Sequence, residues 1–184
     1  MRKKSKKILD KKTYKYVVYG FAIFGILLFI LLSQKIRVAI IIAAFIVLNR
    51  LINTYKMLIR FPIELEFLSL GIVIVSMNFG LKAGLIIAIF GCITSFIIGF
   101  GFSSFSLPMF LGYSSIAVVS FLLKNYDLTF VGIFATLINN FIVFTLYHYL
   151  FGYSITRNIG FSISNIIINS IIFANIAPLI VSLI

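Results

Sequence analysis

Carboxamides are the polar side chains of this sequence that are best placed to do chemistry. Asparagines recur within apolar segments, as Asn78, Asn139, Asn140, Asn165, Asn169 and Asn175. Asn165 and Asn169 are four residues apart and would share one face of a helix. A carboxamide offers two donors and acceptor lone pairs, so several of them inside a helix bundle suit the recognition of a neutral or zwitterionic heterocycle. Hydrogen bonds that only hold neighbouring helices together explain each single asparagine equally well.

Two acids lie in the segment Arg60-Phe-Pro-Ile-Glu-Leu-Glu66, where the proline marks the start of a helix. Acids in a first helical turn cap free N–H groups and complement the helix dipole, and that role alone would explain both. Residues two apart differ by about 200° around a helix, so only one of the pair is expected to point inward. Glu64 is the candidate acid at the mouth of a ligand site.

Aromatic side chains cluster at the end of one apolar segment, in the run Tyr147-His148-Tyr149 with Tyr153 and Arg157 close behind. Tyrosines at such a position are typical of the aromatic belt at a membrane interface. Tyr147 lies about two helical turns after Asn139 and Asn140, so it is also a candidate wall residue of the same ligand site. Tyr113 suits either a stacking surface or packing.

The reactive groups that enzymes use are scarce. Asp10 and Asp127 fall in a tail and a loop, His148 is the single histidine, and Cys92 is the single cysteine. These residues assemble into no metal-ligand cluster, catalytic triad or phosphate-binding glycine loop. We therefore expect no enzymatic activity, no metal and no cofactor.

The composition predicts an integral membrane protein. The 184 residues are 62% hydrophobic with a mean hydropathy of +1.18, and 11% are charged, against about 25% in soluble domains. A membrane span needs roughly 20 apolar residues. Apolar runs of suitable length lie near 16–33, 36–55, 64–80, 83–101, 105–123, 128–151 and 160–184. The fold class is therefore all-α, a polytopic transmembrane helix bundle of about six or seven spans.

The breaks between these runs are short, which predicts a single transmembrane helical domain over 16–184. Before it, 1–15 forms a basic tail that contains eight of the 16 lysines and arginines. Basic residues beside a span stay on the cytoplasmic side and contact anionic lipids. We expect a multi-pass protein of the plasma membrane with a cytoplasmic tail. Nucleic acid is not an expected partner, because the rest of the chain offers no soluble binding module.

Small residues at four-residue spacing occur in two helices, as Ala39-Ile-Ile-Ile-Ala43 and Gly80-Leu-Lys-Ala-Gly84. Such spacing places both small residues on one face and lets helices approach closely in lipid. Packing inside the bundle is one reading. The other makes Ala39 and Ala43 the docking face for a partner subunit.

The order of three stretches resembles the S components of energy-coupling factor (ECF) transporters. These stretches are Ala39–Ala43, Phe61-Pro-Ile-Glu-Leu-Glu66 and Asn78-Phe-Gly-Leu-Lys-Ala-Gly84. The resemblance implies a membrane-embedded subunit that binds a vitamin-like micronutrient and docks on a transmembrane coupling subunit and ATPases. The ligand site would then comprise Glu64, Asn139, Asn140, Tyr147, Asn165 and Asn169. The segment 16–33 is additional to the family pattern.

Cell-shape scaffold proteins of the MreD type are similar in size and hydropathy, and they organise other membrane proteins instead of binding a solute. Their Gly-rich helix with an embedded Asp has no counterpart here, the nearest stretch being Gly91-Cys-Ile-Thr-Ser95. A polar cavity containing Asn139, Asn165 and Asn169 would favour uptake. The same residues paired in a dry core would favour a scaffold.

Overall fold

The computed structural model describes residues 18, 19, 25, 33–59, 67–97 and 106–182, without the side chains of 55–59 and 157. All regular elements in these residues are helices, so the prediction of an all-α protein is confirmed for them. They are α1 (Gln34–Ile59), α2 (Leu68–Phe79), α3 (Leu81–Ser95), α4 (Ser106–Leu122), α5 (Leu128–Phe151), α6 (Ile155–Asn175) and α7 (Ala177–Val181). The predicted tail 1–15 and the acids Glu64 and Glu66 lie outside the described residues.

Three of these helices are long and apolar enough to cross a membrane. Their qualifying stretches are Gln34–Thr54 in α1, Leu128–Phe151 in α5 and Asn158–Asn175 in α6. The helices α2, α3 and α4 are also apolar but shorter, with 12, 15 and 17 residues. At a rise of 1.5 Å per residue, α2 is about 18 Å long, less than the roughly 30 Å of the hydrocarbon core.

The chain divides into two compact units, Met1–Arg37 and Val38–Ile184. The described residues of the first unit are exposed, except for the partly buried Arg37. The predicted domain 16–184 includes parts of both units.

The core of the second unit is built around α2, in which every residue from Leu68 to Ser76 is buried. This helix contacts α3, α4, α5, α6 and α7. On another side, the Phe45 ring of α1 lies over Gly71, where an added Cβ would come within 2.6 Å of Phe45 Cγ. Gly71 therefore makes room for the aromatic ring that holds α1 against α2.

One residue, Gly80, separates α2 from α3, and its φ of 90° and ψ of 171° explain why it is a glycine. Residues with a Cβ are essentially excluded from that backbone region. After the turn, Gly84 packs directly on the Ser76 side chain. The small residues predicted at 80 and 84 thus serve, respectively, the turn and the contact between the two helices.

The C-terminal apolar run differs from the predicted segment 160–184 at both ends of α6. Gly152 caps α5 in the left-handed conformation, with φ of 65°, and its N–H bonds to the His148 carbonyl oxygen. The helix α6 then begins at Ile155, because the chain reverses within three residues. It ends at Asn175 and α7 follows, since Pro178 has no N–H to continue the ladder of α6.

Candidate ligand site

Three of the predicted site residues form a carboxamide cluster, which we define as Asn140 of α5 with Asn165 and Asn169 of α6. All three side chains are buried, with exposed fractions of 4%, 3% and 0%. Asn165 and Asn169 lie on one face of α6, as their spacing predicts. That face packs against α5, which brings Asn140 to the same place.

The carboxamide groups of the cluster donate four hydrogen bonds, two to Asn165 Oδ1 and two to backbone carbonyl oxygens. Asn140 Nδ2 donates to the Thr136 carbonyl oxygen at 2.9 Å and to Asn165 Oδ1 at 3.0 Å. Asn169 Nδ2 donates to the Asn165 carbonyl oxygen at 3.0 Å and to Asn165 Oδ1 at 3.1 Å. Asn165 Oδ1 thus accepts two bonds, one from each neighbouring carboxamide, and links α5 to α6.

One acceptor atom of the carboxamide cluster makes no hydrogen bond with the described residues. Asn169 Oδ1 is buried and has no hydrogen-bond partner among the described residues. Its orientation follows from the network, because turning the carboxamide over would direct an oxygen at two acceptor oxygens of Asn165. The free atom is therefore a carbonyl oxygen with two lone pairs, and not an N–H group.

Charged residues are scarce on the two helices that carry the carboxamide cluster. Between Leu128 and Asn175 the sequence contains no acid, and its only basic residues are His148 and Arg157. Each is eight residues from the nearest cluster member on its own helix, about 12 Å along the axis. The hydroxyl of Thr136, whose carbonyl oxygen accepts from Asn140, donates to the Gly132 carbonyl oxygen at 2.8 Å.

Asn139 does not join its neighbour Asn140, because consecutive residues point about 100° apart around a helix. A Cβ added at Gly112 of α4 would overlap Asn139 Oδ1 and lie 2.7 Å from Val143 Cγ2. Asn139 and Val143 therefore face α4, whereas Asn140 faces α6. The predicted set of asparagines is divided between two interfaces of α5.

Tyr147 belongs to a third group of residues, at the turn between α5 and α6. Its ring lies 5.2 Å from that of Tyr153 and 6.1 Å from that of Phe151. His148 Nδ1 lies 3.1 Å from the Tyr153 carbonyl oxygen, which ties the turn to the end of α5. Tyr147 is seven residues from Asn140, about 10 Å along α5.

Two buried asparagines outside the predicted set also organise the helices. Asn158 Nδ2 donates to the Phe144 carbonyl oxygen at 3.2 Å, from α6 to α5. Asn49 Oδ1 of α1 accepts the backbone N–H of Phe67 at 3.1 Å, directly before α2. Asn158, Asn165 and Asn169 are spaced at i, i+7 and i+11, which places them on one face of a helix. This spacing in the sequence could have identified Asn158 as a residue of the α5–α6 interface.

The remaining candidates lie outside the carboxamide cluster. Ala39 and Ala43 are both exposed on α1. Asn78 and Asn175 donate to carbonyl oxygens of their own helices, those of Ile74 and Ile171. Within the described part of the chain, no three His, Cys, Asp or Glu side chains are grouped as metal ligands would be.

No protein-family model, curated protein or solved structure matches this chain. The resemblance to S components therefore rests on the three sequence stretches alone, and that to MreD-type scaffolds on size and hydropathy.

Proposed function

We propose that this chain is the membrane-embedded substrate-binding subunit of an uptake transporter for a vitamin-like micronutrient. Its ligand would bind at the carboxamide cluster between α5 and α6. The observation that carries the proposal is the fully buried Asn169 Oδ1, which has no hydrogen-bond partner in the part of the chain that the structure describes.

An unsatisfied buried polar group costs about 1–3 kcal/mol, and nearly all such groups in folded proteins have a partner. Polar side chains inside membrane helices are expensive and mark ligand pathways by default. A ligand that donates a hydrogen bond to Asn169 Oδ1 would remove this cost, so the free acceptor provides a source of binding free energy.

The proposal includes a multi-pass arrangement in the plasma membrane with the basic tail cytoplasmic. The six helices α1 to α6 are apolar, and two of the connections are only the single residue Gly80 and the three residues 152–154. Six spans would require the predicted apolar segments 64–80, 83–101 and 105–123, of which α2, α3 and α4 form the larger part, to cross the membrane together with α1, α5 and α6. The segment 16–33 would be a seventh span.

In this proposal the chain hydrolyses nothing itself, and ATP is used by partner ATPases. The exposed face of α1 around Ala39 and Ala43 would bind the transmembrane coupling subunit, because small side chains allow a partner helix to approach closely. The partner would couple ATP use to transport by binding two orientations of the bundle with different affinity.

Native mass spectrometry of the protein, gently released from its host membrane, tests the proposal. We expect a bound metabolite of a few hundred daltons together with a membrane subunit and ATPases. Asn165→Leu should abolish the bound metabolite and keep the partners, whereas Ala43→Leu should weaken partner binding and keep the metabolite. Asn175→Leu, on the same helix as Asn165 but exposed and bonded within α6, should change neither.

A membrane scaffold of the MreD type is the second candidate, and the mutual pairing of Asn140, Asn165 and Asn169 favours it. Holding α5 and α6 together would by itself explain carboxamides that bond to one another. A scaffold would release no metabolite and would bring down other membrane proteins without an ATPase. That result, with Asn165→Leu destabilising the bundle, would replace the transport proposal.

A further inference from the structure

We infer that the carboxamide cluster selects a neutral ligand with an N–H or O–H donor, and that it discriminates against anions. This inference rests on the proposed binding function and narrows the ligand class. It follows from which hydrogen-bonding groups of the cluster are already used and from the charges around it.

The donors of Asn140 and Asn169 are committed to acceptors within the protein. Each Nδ2 carries two hydrogens, and each has two acceptor oxygens at 2.9–3.1 Å. Asn165 Oδ1 already accepts two bonds, which match its two lone pairs. A ligand therefore meets a saturated acceptor at Asn165 Oδ1 and a free acceptor at Asn169 Oδ1. The Asn165 Nδ2 group has no hydrogen-bond partner among the described residues, so it can bind an acceptor of the same ligand, whereas Asn169 Oδ1 requires a donor.

A free carbonyl oxygen binds a hydrogen-bond donor favourably and repels another acceptor. A carboxylate or phosphate placed there would set oxygen against oxygen, with no hydrogen between them. The penalty is large in a buried site because the effective dielectric constant is low. A ligand O–H or N–H at the same position would instead complete the hydrogen bonding of Asn169.

The charged residues of α5 and α6 also favour a neutral ligand. An anion buried between α5 and α6 would need a compensating cation. The only basic residues of these helices, His148 and Arg157, are each about 12 Å along the axis from the nearest cluster member. A cationic ligand would need an acid, and the sequence between Leu128 and Asn175 has none. A neutral ligand needs neither.

Three probes of nearly the same shape test this inference on the purified full-length protein in detergent. Benzamide is neutral and donates N–H, N,N-dimethylbenzamide is neutral without N–H, and benzoate is an anion. Thermal unfolding is measured with each probe at one near-saturating concentration. We expect benzamide to raise the midpoint by about 2–4 °C, and the other two probes by less than half as much.

A second experiment replaces Asn169, the residue that carries the free acceptor. Asn169→Leu should weaken benzamide binding roughly tenfold, the value of one buried hydrogen bond. Asn78→Leu, a control whose carboxamide bonds only within its own helix, should keep the preference for benzamide. If Asn169→Leu does not fold, the comparison of the three probes on the unchanged protein still decides.

Equal shifts with all three probes, a larger shift with benzoate, or no shift with any probe would each overturn the inference. If a metabolite co-purifies in the native mass spectrum while the probes show no preference, the binding function stands and the ligand class is wrong. If the protein carries no metabolite and no ATPase, the proposed function itself fails. An Asn169 Oδ1 that is satisfied by a buried water alone would give no shift with any probe.

Discussion

Asn140 Nδ2 in α5 lies 3.0 Å from Asn165 Oδ1 in α6, a hydrogen bond between two carboxamides that are both almost completely buried. The bond joins helices that are consecutive in the chain but residues that are 25 positions apart. It also orients Asn165, which in turn receives Asn169. The geometry of the whole carboxamide cluster therefore depends on this pair.

A double-mutant cycle on this pair should show energetic coupling. Asn140→Leu and Asn165→Leu each remove one partner, and the double variant removes both. We expect a coupling free energy of about 0.6–1.7 kcal/mol, the range for hydrogen bonds between membrane helices. Denaturant unfolding in mixed micelles measures it. Asn78→Leu and Asn175→Leu, which lie in different helices, are the control pair and should be additive.

The contact between Gly132 and Phe173 should not tolerate a methyl group. A Cβ at Gly132 would overlap atoms of the buried Phe173 ring. We expect Gly132→Ala to cost about 1–3 kcal/mol of unfolding free energy, as overpacking does.

Gly160→Ala is the matched control for Gly132→Ala. Gly160 is also helical, but a Cβ added there has no atom of the described residues within 4 Å. Alanine should therefore be neutral or stabilise by up to about 1 kcal/mol through its higher helix propensity. Equal effects of the two substitutions on the unfolding free energy would contradict the packing argument.

Gly80→Ala should destabilise the turn between α2 and α3 without any steric clash with neighbours. No atom of the described residues lies within 4 Å of a Cβ added there, so the expected cost of about 1–3 kcal/mol comes from the backbone conformation. Thermal unfolding measures the loss. Gly152→Asn is the comparison. Asparagine readily adopts the left-handed conformation of Gly152, so this variant should lose less than about 1 kcal/mol of unfolding free energy.

Asn49→Leu should loosen the start of α2. The substitution removes the oxygen that accepts the Phe67 N–H at 3.1 Å, a part-buried bond, so we expect a cost of about 1 kcal/mol of unfolding free energy. Hydrogen–deuterium exchange of the Phe67 amide should become faster together with the loss of stability. Asn53→Leu, one turn later on α1, should leave that exchange rate unchanged, and acceleration by both variants would refute a specific bond.

Much of the helical organisation follows from the sequence alone. The predicted segment 128–151 has the bounds of α5, and 36–55, 64–80, 83–101 and 105–123 each contain most of one helix. Apolar composition and turn residues suffice for this, because a long apolar run satisfies its backbone groups best as a helix. The bounds of α6 required the cap at Gly152 and the break at Pro178, both of which depend on local backbone geometry.

Which asparagines meet was decided only by the tertiary structure. Spacing places Asn165 and Asn169 on one face and sets Asn139 and Asn140 apart, but it does not say which neighbouring helix each face meets. Helices that are apolar all round, such as α5, carry no amphipathic pattern that would select an inward face. Close contacts at two glycines determine which helix each face meets. Gly112 of α4 leaves room for Asn139. Gly132 of α5 leaves room for Phe173 of α6, on the side of α5 from which Asn140 bonds to Asn165.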